Sequence, residues 1–239
     1  MRVAVMTPTY NERENIAEFL SRVHDAVPAA DIFVVDDSSP DGTGELVAEI
    51  AERDTRVNLI TRKGERGYAA ASREGLSTIA EKGYDAVVTI DCDLSHDPNV
   101  IPTMLDQLAS GADVVIGSRY IAGGGVRNWS LSRRLLSRWG NLYTSFMLGI
   151  KVRDCTSGFR TYGHKVITSG VIPSTTSNGY AFLSEVLMKL HATRHYRVVE
   201  VPIVYVDRIS GQSKMNKTIV SESMRLVTKW GLGRLSRRA

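Results

Sequence analysis

Cysteine is scarce in this chain: Cys92 and Cys155 are the only two among 239 residues. Two are too few for a disulfide framework, so a reducing, cytoplasmic setting is expected. No charged, then apolar, then small-residue leader opens the sequence. Long apolar runs are also missing. The best, Leu142 to Val152, is short and contains Lys151, so no segment is expected to span a bilayer. There is no internal repeat or low-complexity tract, no glycine-rich phosphate loop of either common type, and no evident serine, histidine and aspartate arrangement. Those absences set aside two familiar catalytic designs.

What is present is 43% hydrophobic content, enough for a substantial core in one large domain. The net charge of +4 is uneven, with basic residues concentrated in "RRLLSR" (133 to 138) and "GRLSRRA" (233 to 239). Such patches suit phosphate groups, nucleic acid or anionic lipid, and a solvated basic face is the plainer alternative.

Apolar, β-branched runs recur at 2 to 9, 31 to 38, 57 to 62, 85 to 93 and 112 to 119. Amphipathic stretches of helical length lie between them, including 14 to 27 and 44 to 53. The alternation predicts an α/β fold with a mostly parallel central sheet flanked by helices. Ligands of such sheets collect at the carboxyl ends of the strands. Three polar clusters, "PTYNERE", "DDSSPDGT" and "DCDLSHDP", each follow a strand and should therefore gather along one edge.

Beyond Tyr120 the pattern changes. "AGGGVRN" (122 to 128) reads as a flexible glycine-rich loop that orders on ligand binding. Leu131, Leu135, Trp139, Leu142 and Phe146 then repeat at helical spacing beside Arg133, Arg134 and Arg138. That helix either rests on a membrane surface or packs on the sheet. Residues 197 to 208 alternate as one strand, 209 to 217 read as a polar loop, and a last helix near 218 to 230 carries Val220, Met224 and Val227 on one face.

Asp91 and Asp93 sit where a strand becomes a loop. At i and i+2 they can face one side and share a Mg²⁺ or Mn²⁺ that also touches substrate phosphates. Their alternative role is turn and helix-cap chemistry, with a helix starting at Pro98. Asp36 or Asp37 can accept hydrogen bonds from a ribose or base. Turn chemistry accounts for Pro40, Asp41 and Gly42 but not for two consecutive acids after "IFVV". His96 is either a second-sphere group or a helix-start residue, the latter being simpler. His191 and His195 read as a helix surface, since no third metal ligand is in view.

The ordered blocks "TPTYNERENI", "VVDDSSPDGT", "DCDLSHDP", "GSRY", "GGGVRNWSLSRR", "DCTSGFR", "GYAFLSE" and "EVPIVYVDRISGQSK" resemble the dolichol- or polyprenol-phosphate mannosyltransferases, within family 2 of the inverting glycosyltransferases. The resemblance covers almost the whole chain. It implies a single GT-A domain over residues 1–214, followed by an amphipathic helix and basic tail over 215–239. Also implied is mannose transfer from GDP-mannose to dolichyl or polyprenyl phosphate. By position, Pro8, Tyr10, Glu12 and Asp37 would hold the nucleotide, and Asp91, Cys92 and Asp93 the sugar-nucleotide with its divalent cation. Ser95 stands where relatives often carry Gln and would be a weaker metal ligand. Arg119 and Arg133 would meet donor and acceptor phosphates, with Arg208 and Lys214 completing the clamp. The stretch 65 to 75 lacks the Gly-Leu-Gly spacing common in relatives, which weakens any role for it.

The resemblance also implies peripheral attachment at the cytoplasmic face of a membrane, in a short form that would use a membrane-anchoring protein partner. Two alternatives remain: a UDP-sugar donor, as in polyprenyl-phosphate glucosyltransferases, or an idle nucleotide-binding scaffold. Nucleic acid is not expected, because the acidic clusters would repel its backbone.

Overall fold

The computed structural model describes residues 1–207 and 217–236, with side chains from Val220 onward in the second stretch. The elements, in chain order, are β1 (Val3–Thr9), α1 (Arg13–Ala26), β2 (Asp31–Asp36), α2 (Thr43–Ala51), β3 (Val57–Thr61), α3 (Tyr68–Glu81), β4 (Ala86–Thr89), α4 (Ile101–Ala109), β5 (Val114–Ser118), β6 (Gly125–Arg127), α5 (Leu131–Leu148), β7 (Arg160–Gly163), α6 (His164–Ile167), α7 (Ala181–Thr193), β8 (Val198–Pro202), β9 (Val204–Val206) and α8 (Lys217–Ser236). Seven strands form one sheet in the order β3-β2-β1-β4-β7-β5-β8. Every neighbour pair is parallel except those of β7, which runs antiparallel between β4 and β5.

Alternate side chains of the strands enter two cores, as a strand's period of two requires. Ala4, Met6, Phe33 and Val35 face α3 and α7, whereas Val5, Ile32, Val34 and Val88 face α1, α2 and α4. Gly75 lets α3 approach closely, because a Cβ there would lie 2.5 Å from Met6 Sδ and 2.7 Å from Val35 Cγ2.

The expected single strand at 197 to 208 is divided. Pro202 has no N–H to extend the ladder. The Ile203 amide instead donates to the Ser118 carbonyl, so β8 joins β5 while β9 pairs with β6. Part of the stretch read as a flexible loop, 122 to 128, is therefore strand β6.

The apolar series of α5 turns outward. Asn141, Thr144, Met147 and Leu148 form its buried face, while Leu131, Leu135, Trp139, Leu142 and Phe146 are 55–73% exposed. α8 lies against α5: Tyr143 and Thr228 share a 2.7 Å hydroxyl contact, and Arg234 donates to the carbonyls of Met147 and Phe146 at the end of α5. Val227 of α8 belongs to the same core cluster as α3 and α7. No helix among the described residues is long and apolar enough to cross a membrane.

Candidate functional site

Three loops leave the carboxyl ends of β1, β2 and β4, and each holds a non-glycine residue with positive φ: Asn11 at 57°, Ser38 at 52° and Leu94 at 61°. Such conformations are costly and cluster where a loop must present its side chains in one geometry. Here the three loops converge on a cleft of about 260 Å³, lined by Pro8, Tyr10, Glu12, Asp37, Asp91, Cys92 and Asp93. The sequence-predicted donor residues thus come together in one place.

Asp36 and Asp37 divide the work left open between them. Buried Asp36 accepts from Thr9 Oγ1 at 3.0 Å and from the amide and hydroxyl of Ser39 at 2.9 and 2.5 Å, which fixes the turn. Asp37 lines the cleft, pairs with buried Arg62 and accepts the Gly67 amide at 2.8 Å. Arg66, Gly67, Tyr68 and Ala71 also line the cleft, so part of 65 to 75 reaches it although the Gly-Leu-Gly spacing is missing. Arg66 lies 4.9 Å from the Tyr10 ring centre and donates to its hydroxyl at 2.9 Å.

Asp93 is buried and held from behind. Its Oδ1 accepts the Ser95 hydroxyl at 2.5 Å and the Ser95 amide at 3.1 Å, a turn made possible by Leu94. Ser95 thus spends its hydroxyl on Asp93. The Cys92 thiol is pushed well up in pKa by burial and then by Glu12, Asp93 and Asp91, so it stays protonated. Asp97 accepts from the Asn99 amide at 3.0 Å and starts the turn before α4, as a helix-start residue should.

Among the described residues no group of three His, Cys, Asp or Glu stands close enough to hold a metal alone. The donor set nevertheless fits Mg²⁺ or Mn²⁺: Asp91 and Asp93 supply hard oxygens, and such ions usually take their remaining ligands from substrate phosphates and water.

A groove of about 240 Å³ adjoins the cleft between α5 and α8. Its polar end carries Arg119, Arg133, His96 and Asp91, and its apolar walls carry Leu136, Trp139, Val220, Met224 and Val227. Arg119 gives one edge of its guanidinium to fully buried Asp154, with Nε to Oδ2 at 2.7 Å and Nη2 to Oδ1 at 2.8 Å. Burial opposes the charge on both partners. The pair outweighs it, holding Arg119 up and Asp154 down in pKa. Glu200 anchors this pair by accepting the Arg153 and Asp154 amides, each at 2.9 Å. Arg133 stacks 4.1 Å over Trp129 and pairs with Asp207 at 2.8 Å.

His96 is no simple surface helix-start residue. It is buried between Phe159 and Tyr205, ring centres 5.3 and 5.2 Å away, and its Nδ1 has no hydrogen-bond partner among the described residues. Burial, assisted by Arg119 and opposed by Asp93 and Asp154, pulls its pKa down to about 4. His191 is exposed on α7, but Arg194 turns left-handed and ends the helix before His195. Arg208 and Lys214 lie outside the described residues.

Sequence reasoning missed Arg66, Tyr68, Tyr180, Asp154 and Tyr205. "DCTSGFR" and "GYAFLSE" contained Asp154 and Tyr180, but a lone acid and a lone tyrosine carry no spacing signal of their own.

Comparison with known proteins gives the same architecture. A polyprenol monophosphomannose synthase of Mycolicibacterium smegmatis is 42% identical over 99% of this chain and 89% of that protein. An undecaprenyl-phosphate mannosyltransferase of Micrococcus luteus is 41% identical over 97% of this chain and 95% of that protein. A dolichol-phosphate mannosyltransferase of Pyrococcus furiosus is 37% identical over 96% of this chain and 64% of that protein. Among solved structures, glucosyl-3-phosphoglycerate synthase of Mycobacterium tuberculosis superposes with a TM-score of 0.68 at 19% identity, covering 98% of this chain and 78% of that one. A mannosyltransferase of Pyrobaculum calidifontis, in complex with GDP-Man and Mn²⁺, superposes with a TM-score of 0.58 at 17% identity, covering 99% and 74%. These two share the fold. The glycosyl transferase family 2 pattern matches residues 4–169, from β1 through α6, and with the full-length relatives it establishes that this chain is a glycosyltransferase belonging to glycosyl transferase family 2.

Proposed function

We propose that the protein transfers mannose from GDP-mannose to dolichyl or another polyprenyl phosphate, with inversion at the anomeric carbon and release of GDP. One observation carries this reading: an acid-lined cleft and an amphiphilic groove with arginines at its polar end meet at Asp91 and Tyr180. A phosphate headgroup suits Arg119 and Arg133, and a prenyl chain suits the walls supplied by α5 and α8. The names of three relatives support mannosyl transfer to a prenyl phosphate.

The chemistry asks for position and charge. A lipid phosphate oxygen forms the bond to C1 of the sugar as the bond from C1 to the β-phosphate oxygen breaks, and GDP leaves with that electron pair. The nucleophile is already anionic near neutral pH, so no strong general base is needed. Asp37, Tyr10 and Arg66 hold the nucleoside end. Arg133 draws the acceptor phosphate towards the joint, and Arg119, whose Nε and Nη2 are held by Asp154 and Thr156, offers its Nη1 from a site already ordered. Asp91 and Asp93 would hold a divalent cation, which when bound supplies charge stabilisation to the leaving diphosphate. Ser95 keeps the Asp93 carboxylate in place.

We place the enzyme peripherally on a membrane because its exposed apolar crest on α5 continues into the groove, and at the cytoplasmic face because the family resemblance implies it. A membrane-anchoring protein partner would act on the same face.

The test offers labelled GDP-mannose, UDP-glucose and UDP-N-acetylglucosamine with polyprenyl phosphate and Mg²⁺ or Mn²⁺. Label entering the organic phase from GDP-mannose alone is expected. Transfer from a UDP-sugar would change the donor, and folded protein inert with all three would defeat the reading.

A further inference from the structure

The side chains where cleft and groove meet are not those that hold the nucleoside end. Asp91 and Tyr180 line both cavities, Tyr68 lines the cleft, and Gly158 lines the groove. Tyr180, just before α7, stacks on Tyr68 with ring centres 5.0 Å apart and planes 21° apart. Tyr68 in turn meets the buried Phe182 ring edge-on at 6.5 Å, so the stack has a rigid backing. Gly158 completes the joint. A Cβ there would lie 2.7 Å from the Tyr68 hydroxyl and 3.6 Å from Asp91 Oδ1, so the hydroxyl and the carboxylate flank bare backbone that no side chain can occupy without displacing the tyrosine.

We propose that the Tyr68–Tyr180 stack is the seat of the donor's sugar, with Tyr180 touching the sugar and steering it to the acceptor rather than to water. The inference rests on the proposed transfer reaction. For C1 to pass from diphosphate to lipid phosphate without a second binding event, it must lie where the two cavities meet. A pyranose offers a C–H face and a ring of hydroxyls; a tyrosine offers an apolar face and one polar handle. Because the two rings already stack, little freedom is lost when the sugar settles. The Tyr68 hydroxyl, beside the bare backbone of Gly158, is placed to donate to a sugar oxygen. The competing step is hydrolysis: a water oxygen bonds to C1, GDP leaves with the electron pair, and the water's proton passes to solvent. A ring filling the joint withholds that water.

The test uses full-length Tyr180→Ala, Tyr180→Phe and Gly158→Ala with Mn²⁺, measuring affinity for GDP and GDP-mannose and the release of lipid-linked and free mannose. Tyr180→Ala should keep GDP affinity within about twofold, which also reports a sound fold, while GDP-mannose affinity falls about tenfold. Its ratio of free to lipid-linked mannose should rise about tenfold. Tyr180→Phe should lie between wild type and Tyr180→Ala, and Gly158→Ala should weaken GDP-mannose but not GDP. Equal loss of GDP and GDP-mannose in Tyr180→Ala, or unchanged sugar affinity and unchanged hydrolysis, would overturn the seat. Wild-type protein that binds GDP-mannose no better than GDP overturns it too. Wild-type protein that binds the sugar but transfers it to no prenyl phosphate overturns the acceptor reading alone.

Discussion

Asp93 and Arg119 carry opposite charges in adjoining cavities; Ser95 braces the first, and Asp154 with Thr156 braces the second. Replacing Asp93 by Asn removes a charge that the proposed cation needs, so transfer should vanish while the urea midpoint stays near wild type; near-normal turnover would reject the role. Ser95→Ala removes a bond to a charged acceptor, worth about 1.5–3 kcal/mol, and should raise the metal concentration needed for half-maximal rate. Asp154→Asn leaves the buried Arg119 without its countercharge and should cost about 3 kcal/mol in denaturant melts. His96 gives a separate acid signature. Its folded pKa of about 4 is below the unfolded value near 6.5, so its stability contribution is complete above 6.5 and is lost as pH falls towards 4. His96 should take up to about 1.4 kcal/mol per pH unit from metal-free wild type within that window, and His96→Phe should lose distinctly less than wild type. The Asp154 pair fades only below about pH 4, since its carboxyl is depressed from there, which keeps the two effects apart. Asp91, Asp93 and the Asp36–Asp37 pair stood out in the sequence because acids follow a buried strand there; the resemblance, not the pattern, singled out Asp37, and Asp36 serves the turn. Asp154 did not stand out, since its partner lies 35 positions away and a lone acid in a polar stretch resembles any turn residue.

At the scale of elements, helical spacing revealed α5 but not which way it faces. The periodicity of Leu131, Leu135, Leu142 and Phe146 is the same whether a sheet or a lipid surface covers it. The inward face uses Asn141 and Thr144 instead: the Asn141 amide donates to Thr156 Oγ1 and the Ser137 carbonyl, and both residues line the groove. The outward face predicts that Leu142→Ser with Phe146→Ser will leave stability within about 0.5 kcal/mol of wild type, as exposed positions do. Binding to anionic vesicles should fall at least about tenfold, since two large side chains lose about 1.5–3 kcal/mol each of transfer energy. Unchanged partitioning would remove α5 from the membrane contact. The division of residues 197 to 208 at Pro202 was hidden for a related reason. Alternation tells that a segment is extended, but which sheet it joins depends on strands distant in sequence.

For the whole molecule, the parallel pairing of β3, β2, β1 and β4 followed from alternating strands and helices, though their order did not. The insertion of β7 did not, because "RTYG" has too few apolar residues to announce a buried strand; Arg160 is buried there only because it donates to the carbonyls of Ser157, Leu183 and Cys155. That insertion carries residues 154 to 158 to the joint, so Asp154 reaches Arg119 and Gly158 reaches Asp91. The donor cleft is built from residues 8 to 180, whereas the groove needs α8. Separate construction means that one substrate's site can be obstructed without disturbing the other. Met224→Trp, on the α8 wall, should fill the groove and raise the KM for polyprenyl phosphate by about tenfold or more, consistent with the cost of displacing a lipid segment. GDP-mannose affinity should not change, because no described residue of α8 lines the cleft. Shortening the prenyl chain should narrow the gap between variant and wild type, since a shorter acceptor asks less of the groove. A parallel loss of GDP-mannose binding would instead mean that α8 supports the donor cleft through the shared core at Val227.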